Sequence, residues 1–135
     1  MVICLKTYSK YAKASEIELT VQDRLPLWIG SPCQVHCSFL VTSMSDYYVL
    51  QLTITAILPM TCQRCLRQED FSYHHSIDIA LCRTESRADT LMSSYDCIVV
   101  EGDTLDLETV IVDELHLSSP PIPHETTQCD PHQLQ

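Results

Sequence analysis

The sequence predicts an α+β domain: an antiparallel β-sheet or small open barrel with one main C-terminal helix and a Pro-rich tail. Three observations lead to this fold class. The middle of the chain holds three stretches that alternate apolar and polar residues, a stretch with helical spacing follows, and prolines end that stretch. The 135 residues fit a single domain, 1–135, and a hydrophobic composition of 45% can form its core without disulfides.

The three alternating stretches predict β-strands that each bury one face. Their apolar stripes run over residues 33–41, 48–58 and 71–81. Residues 59–70 join the second stretch to the third, and this connection is too short for the crossover helix that parallel neighbours need. We therefore expect an antiparallel hairpin with residues 59–70 at its tip.

Weaker signals place the other strands and the loops. Residues 16–21 and 98–100 indicate two further strands. Residues 22–32 contain two prolines and a glycine, which predicts a loop, and Trp28 is expected to anchor this loop to the core. Residues 84–95 are polar, and we expect them to form a mobile connection.

One helix is predicted in the last third of the chain. Asp106 is a favourable N-cap. The apolar residues that follow it are spaced by three and four, which gives one buried face: Leu107, Val110, Ile111 and Leu115. Three prolines within residues 120–123 end the helix, so residues 118–135 are predicted to form a Pro-rich C-terminal tail.

The formal net charge of −10 is divided unevenly along the chain. Residues 1–67 carry six Lys or Arg and four Asp or Glu, net +2, whereas residues 68–135 carry two and fourteen, net −12. Nonspecific affinity for nucleic acids comes mainly from Lys and Arg, so the acidic half disfavours broad RNA binding. It favours a basic protein partner, although surplus carboxylates also serve solubility.

The sequence predicts a cytoplasmic protein that does not interact with membranes. No apolar run approaches the length needed to span a bilayer, and residues 1–10 lack the apolar stretch of a secretory signal. In the cytoplasm, the eight cysteines are expected to be mostly reduced thiols rather than a disulfide framework.

Two pairs of residues have the spacing of metal ligands. Two residues separate Cys62 from Cys65, so one turn can present both sulfurs to the same ion, and four residues separate His124 from Cys129. Zn²⁺ favours a closed tetrahedral shell of thiolates and imidazoles. The pairs together predict a structural zinc clip between the middle and the end of the chain. The 58 intervening residues make it unlike a compact zinc finger.

Other interpretations of these residues stay open. The cysteines could be ordinary turn thiols, or a redox pair, but a redox pair needs its first thiolate at a helix N-terminus and here the context is a hairpin. His132 could replace His124 as the fourth ligand. Arg64 and Arg67 could offset the negative charge of a three-thiolate zinc site, or serve solubility alone.

Three motifs, taken in order, carry a family resemblance. The first is the run from Leu58 to Leu66 with its two cysteines, the second is the acidic helix segment 112–115, and the third is the Pro-rich segment 120–124 with Cys129 beyond it. Together they resemble the YceD family of bacterial large ribosomal RNA subunit accumulation proteins, over roughly residues 30–130. The resemblance implies a role in accumulating or maturing the 23S ribosomal RNA, without a well-defined catalytic activity.

The sequence offers little catalytic machinery. With only Gly30 and Gly102, it has neither a glycine-rich phosphate loop nor a Gly-x-Ser-x-Gly nucleophile turn. Asp113 and Glu114 are separated by about 100° around the predicted helix. They are expected to form a solvated or partner-facing edge rather than an acid and base pair.

We therefore predict a non-catalytic ribosome-assembly factor with a structural zinc clip. It would act through a ribosome-assembly protein or a precursor ribonucleoprotein of the large subunit. Arg64, Arg67, Asp113 and Glu114 are the candidate contacts to that partner or to RNA. The competing hypothesis is a thiol redox or zinc-dependent enzyme, since catalytic groups assembled in space need not form a sequence motif.

Overall fold

A computed structural model describes residues 1–121 of the chain, and its elements confirm the predicted α+β class. In chain order they are β1 (Val2–Cys4), α1 (Leu5–Tyr8), β2 (Ser15–Val21), β3 (Cys33–Ser43), β4 (Tyr48–Thr61), β5 (Gln68–Cys82), α2 (Glu85–Leu91), β6 (Asp96–Val99), β7 (Thr104–Asp106) and α3 (Leu107–Ser118). Within this range no helix has the length and apolar character needed to cross a membrane.

Five strands form the main sheet in the order β2-β3-β4-β5-β6. The pairs from β2 to β5 are antiparallel, as the short connection between the second and third stripes predicts. The β4 and β5 ladder is the longest, and it extends from Tyr48 opposite Leu81 to Thr61 opposite Gln68. It brings the residues between Thr61 and Gln68 to the end of a long hairpin.

The sheets remain open. A second sheet pairs β1 with β7 antiparallel, and neither sheet closes into a barrel within residues 1–121. Of the two predicted alternatives, an antiparallel sheet and a small open barrel, the structure therefore supports the sheet. The β1 and β7 strands have three residues each, which is too short for an alternating pattern to be recognised.

The connection between β5 and β6 differs from the prediction. Residues 84–95 were expected to form a mobile polar connection, but they contain α2, and β6 pairs with β5 in parallel. A parallel neighbour requires such a crossover. The Thr84 side chain caps α2 by accepting the Arg87 backbone N–H at 3.2 Å. Ala88 is the one buried residue of α2, so no periodic apolar stripe marks this helix.

The hydrophobic core packs the inner face of the main sheet against α3. The alternating residues of β3 and β4 are buried as predicted, and α3 contributes the face set by its spacing of three and four. Large side chains with almost no exposure include Phe39, Leu50, Leu52, Ile54, Leu58, Ile79, Leu107 and Ile111. The helix begins directly after Asp106, its predicted N-cap.

The loop over residues 22–32 is held against the end of β4. Gly30 donates its backbone N–H to the Pro59 carbonyl at 2.6 Å, and a Cβ on Gly30 would lie 3.3 Å from that oxygen. This close approach of the two backbones explains why position 30 is a glycine. Trp28 packs against the core, and its carbonyl accepts the Thr61 N–H at 2.9 Å. Trp28 is therefore the anchor that the sequence predicts.

Candidate functional site

The paired cysteines lie in the turn between β4 and β5, residues 62–67, which we call the paired-cysteine turn. Cys62 donates its N–H to the Arg67 carbonyl at 2.9 Å, and Leu66 donates to the Cys62 carbonyl at 2.8 Å. Leu66 has a φ of 63°, a left-handed conformation that is uncommon for residues with a side chain. These contacts fold the turn back on itself.

Both thiols of this turn are shielded from solvent. Cys62 and Cys65 have 0% exposure and form a small buried cluster separate from the main core. The Arg64 backbone N–H lies 3.4 Å from the Cys62 sulfur and donates to it. Amide donors to sulfur are among the outer contacts that orient and tune metal-bound thiolates. The turn therefore offers two adjacent sulfur ligands in a structured setting.

Three separate segments converge beside this turn. Trp28, from the loop 22–32, donates its indole N–H to the Ser119 hydroxyl at 2.9 Å. Gln63, within the turn, donates its backbone N–H to the Pro121 carbonyl at 2.9 Å. The chain that leaves α3 is thus joined to both the loop and the turn, and its last described residue contacts the paired-cysteine turn directly.

The other two predicted zinc ligands, His124 and Cys129, lie outside the described residues, as do Pro123 and His132. Between residues 1 and 121, no group of three or more His, Cys, Asp or Glu side chains is arranged to hold a metal ion. The described part of the chain therefore supplies two candidate ligands, Cys62 and Cys65, and the complete zinc shell stays a prediction.

The two arginines of the turn differ in their surroundings. Arg64 is exposed. Arg67 is partly exposed, and its guanidinium lies 3.5 Å from the Glu69 carboxylate. Exposed ion pairs of this kind contribute little to stability, about 0 to 1 kcal/mol. Both side chains lie close to the paired cysteines in the chain, where they could offset thiolate charge or reach a phosphate group.

Asp113 and Glu114 do not share one solvated edge. Asp113 is exposed, whereas Glu114 is only 8% exposed. The Glu114 carboxylate is hydrogen-bonded to Nε2 of His75 on β5 at 3.0 Å. Burial raises the pKa of the Glu114 carboxyl, and the hydrogen bond with His75 opposes part of this rise. Asp113 therefore has the exposure of a solvated edge and Glu114 does not, and a partner-facing role for either residue stays a prediction.

The role of His75 was missed by sequence reasoning. His75 occupies a core-facing position of β5, between Tyr73 and Ile77 in the apolar stripe. A polar side chain in such a stripe needs a hydrogen-bond partner, because burial of an unpaired polar group is costly. The histidine in this apolar stripe therefore indicated that a buried partner exists. The partner, Glu114 on α3, is 39 positions away and could not be identified from spacing.

Comparison with known protein families adds one finding. Residues 50–135 match the model of the family described as "Large ribosomal RNA subunit accumulation protein YceD". The matched region contains the paired-cysteine turn, the whole of α3 and the residues that follow it. Comparisons with curated proteins and with solved structures give no match.

Proposed function

The chain belongs to the YceD family, and from this premise we propose that it is a non-catalytic assembly factor that supports accumulation or maturation of the 23S ribosomal RNA. The family match over residues 50–135 is the observation that carries the proposal. The paired-cysteine turn and the end of α3, which meet through the hydrogen bond between Gln63 and Pro121, both lie within the matched range, and this supports them as a functional part of the molecule.

We further propose that Cys62, Cys65, His124 and Cys129 bind one structural zinc ion. The support comes from the buried, adjacent thiols and from the hydrogen bond between Gln63 and Pro121. Each extended residue spans at most about 3.5 Å, so three residues beyond Pro121 reach about 10 Å and eight reach about 28 Å. His124 and Cys129 are therefore within reach of the turn. Bound zinc would fasten the end of the chain to the hairpin.

Thiol exchange is a weaker explanation for the same cysteines. An exchanging thiolate must attack a disulfide sulfur directly, so it has to be accessible. Cys62 and Cys65 are both inaccessible to solvent, and Cys62 follows a strand instead of beginning a helix. Metal binding requires no such access once the shell is closed. These features favour a structural zinc over redox catalysis.

The contact to the ribosome precursor is proposed to involve a basic protein surface. The net charge of −12 over residues 68–135 opposes the approach of phosphate groups and attracts Lys and Arg side chains. Asp113 is positioned for this contact because it is exposed on α3. Arg64 and Arg67 are the residues proposed for any direct recognition of a specific RNA element.

Cross-linking in cells tests this function. The tagged chain is cross-linked, purified under denaturing conditions, and its bound RNA and proteins are identified together. We expect large-subunit ribosomal proteins and 23S precursor RNA to be enriched over a tagged unrelated acidic protein of similar size. Enrichment of neither, in growing cells that express the chain, would contradict a role in assembly.

A further inference from the structure

A groove of about 630 Å³ lies between α3 and the β6 side of the main sheet. Residues from β5 and β6 line it together with the C-terminal part of α3 and residues from α2 to Tyr95. We call it the acidic groove, for the three carboxylate residues among its lining: Asp96, Asp113 and Glu114. It is separate from the paired-cysteine turn.

The groove exists because the described elements leave part of the core face of the sheet uncovered. His75 and Ile77 lie on the same face of β5 as the buried Tyr73 and Ile79, but they are only partly buried. Leu117 of α3 is 79% exposed beside the groove. Contiguous apolar side chains of this kind, surrounded by polar groups, are typical of surfaces that bind another molecule.

Met92, just after the end of α2, also lines the groove and is 66% exposed. Aliphatic side chains seated in the groove would remove apolar area of Met92 and Leu117 from water. Burial stabilises a contact by about 25 cal/mol for each Å² of apolar surface. The groove therefore favours an occupant that carries apolar side chains.

The charge of the groove selects a cationic occupant. Among residues 1–121, none that lines the groove is Lys or Arg, so no lysine or arginine of this lining offsets the three carboxylate residues. Glu114 is already hydrogen-bonded to His75, and a second donor would stabilise its charged form further. RNA would bring phosphate groups against these carboxylates, which is unfavourable.

We propose that the acidic groove binds a peptide segment of a partner protein in which Lys or Arg side chains accompany aliphatic side chains. The basic groups would contact Asp96, Asp113 and Glu114, and the aliphatic groups would cover Ile77, Met92 and Leu117. The proposal rests on the proposed function for the source of the peptide, a large-subunit ribosomal protein. Residues 122–135 of the chain itself do not fit the requirement, because they contain no Lys or Arg.

Titration of the isotope-labelled full chain with a short synthetic peptide that alternates arginine and leucine tests the proposal by nuclear magnetic resonance. We expect saturable shifts at the amides of residues 75–79, 96–98 and 113–118. The paired substitution Asp96→Asn with Asp113→Asn should weaken binding about tenfold, the loss expected when two peripheral charges contribute about 0.7 kcal/mol each.

Matched controls separate groove binding from attraction to an acidic protein. Glu18→Gln with Asp78→Asn removes two exposed carboxylates from the other face of the sheet and should leave the affinity unchanged. Peptides that alternate arginine with serine, or glutamate with leucine, should bind at least several times more weakly. Equal weakening by both paired substitutions, equal binding of the three peptides, or the same groove shifts with a single-stranded RNA would overturn the proposal.

The peptide measurement and the cellular role can fail separately. If the peptide binds the groove but groove variants restore 23S ribosomal RNA in cells lacking the gene, the binding site stands and its link to assembly fails. If cells need the chain for 23S accumulation but the peptide does not bind, the groove proposal fails and the function stands.

Discussion

Cys62 is the residue whose chemistry can be tested most simply. Its substitution by Ser removes one thiolate from the proposed zinc shell. We expect the reduced purified chain to hold about one zinc ion and the Cys62→Ser chain to bind zinc at least about tenfold more weakly. Native mass spectrometry counts the bound metal. Cys4→Ser, the same change at an exposed cysteine on β1, is the matched control and should retain zinc.

Equal zinc content in the Cys62→Ser and original chains would contradict the assignment. Changing His124 distinguishes the fourth ligand: if affinity survives His124→Ala but falls when His132 is also changed, then His132 is the ligand instead. The spacing of Cys62 and Cys65 was enough to predict that both lie in one turn, because such proximity is a local property, whereas their binding of a metal stays a prediction.

The buried carboxylate of Glu114 predicts a pH dependence of stability. Its pKa is raised in the folded state, chiefly by burial and also by the nearby Asp96 and Asp113, while His75 opposes the rise. The folded chain therefore holds this proton more tightly than the unfolded chain does. Its contribution to stability falls as pH rises from about 4, the ordinary range of glutamate, through the raised pKa.

Glu114→Gln removes this titration. The free energy of unfolding of the variant, relative to the original chain, should therefore rise across the same pH window and then level off. Urea unfolding at a series of pH values measures it, with Asp78→Asn on the exposed face as control. A constant difference between the two chains at every pH would contradict the assignment. Sequence could not predict this behaviour, because adjacency of Asp113 and Glu114 does not say which of them faces the sheet.

At the scale of elements, the hairpin of β4 and β5 and the end of α3 are expected to be coupled by zinc. Removing the metal with a chelator should expose the Gln63 amide to hydrogen exchange, because that amide donates to the Pro121 carbonyl. Amides in the centre of β4, such as that of Leu52, should stay protected, since the main core does not include the turn. Unchanged exchange at Gln63 would argue against the clip, and global unfolding would show that zinc holds the whole fold.

The elements differ in how well the sequence predicts them. The antiparallel strands β2 to β5 follow from alternating residues, and α3 follows from its spacing and its N-cap. The crossover through α2 does not, because a helix of seven residues with one buried side chain has no stripe to recognise. The groove beside α3 could not be predicted from the sequence either, because its existence depends on how much of the sheet one helix covers.

At the scale of the whole molecule, the distribution of charge predicts weak, salt-sensitive affinity for naked RNA. All three lysines lie within residues 6–13, where each is exposed and none forms an ion pair with the described part of the chain. Replacing Lys6, Lys10 and Lys13 by Gln should reduce the slope of log affinity against log salt by about 2 for single-stranded RNA. Fluorescence anisotropy at several salt concentrations measures the slope.

The comparison for this prediction is the pair Arg64→Gln and Arg67→Gln. We expect it to change the slope less, because it removes one charge fewer and Arg67 already lies beside Glu69. Tight, sequence-selective binding to a large-subunit RNA fragment at physiological salt, abolished by Arg64→Ala, would contradict the proposal that the chain contacts the ribosome precursor through a basic protein surface. The uneven charge itself was evident from the sequence, whereas the exposure of the lysines required the structure.

The ratio of 23S to 16S ribosomal RNA in cells that lack the gene tests the central claim most directly. We expect the ratio to fall, to recover with the original chain, and to recover with Cys4→Ser but less completely with Cys62→Ser, with all chains present at equal levels. A ratio that is the same with and without the gene, measured during rapid growth, would contradict the assignment to large-subunit RNA accumulation.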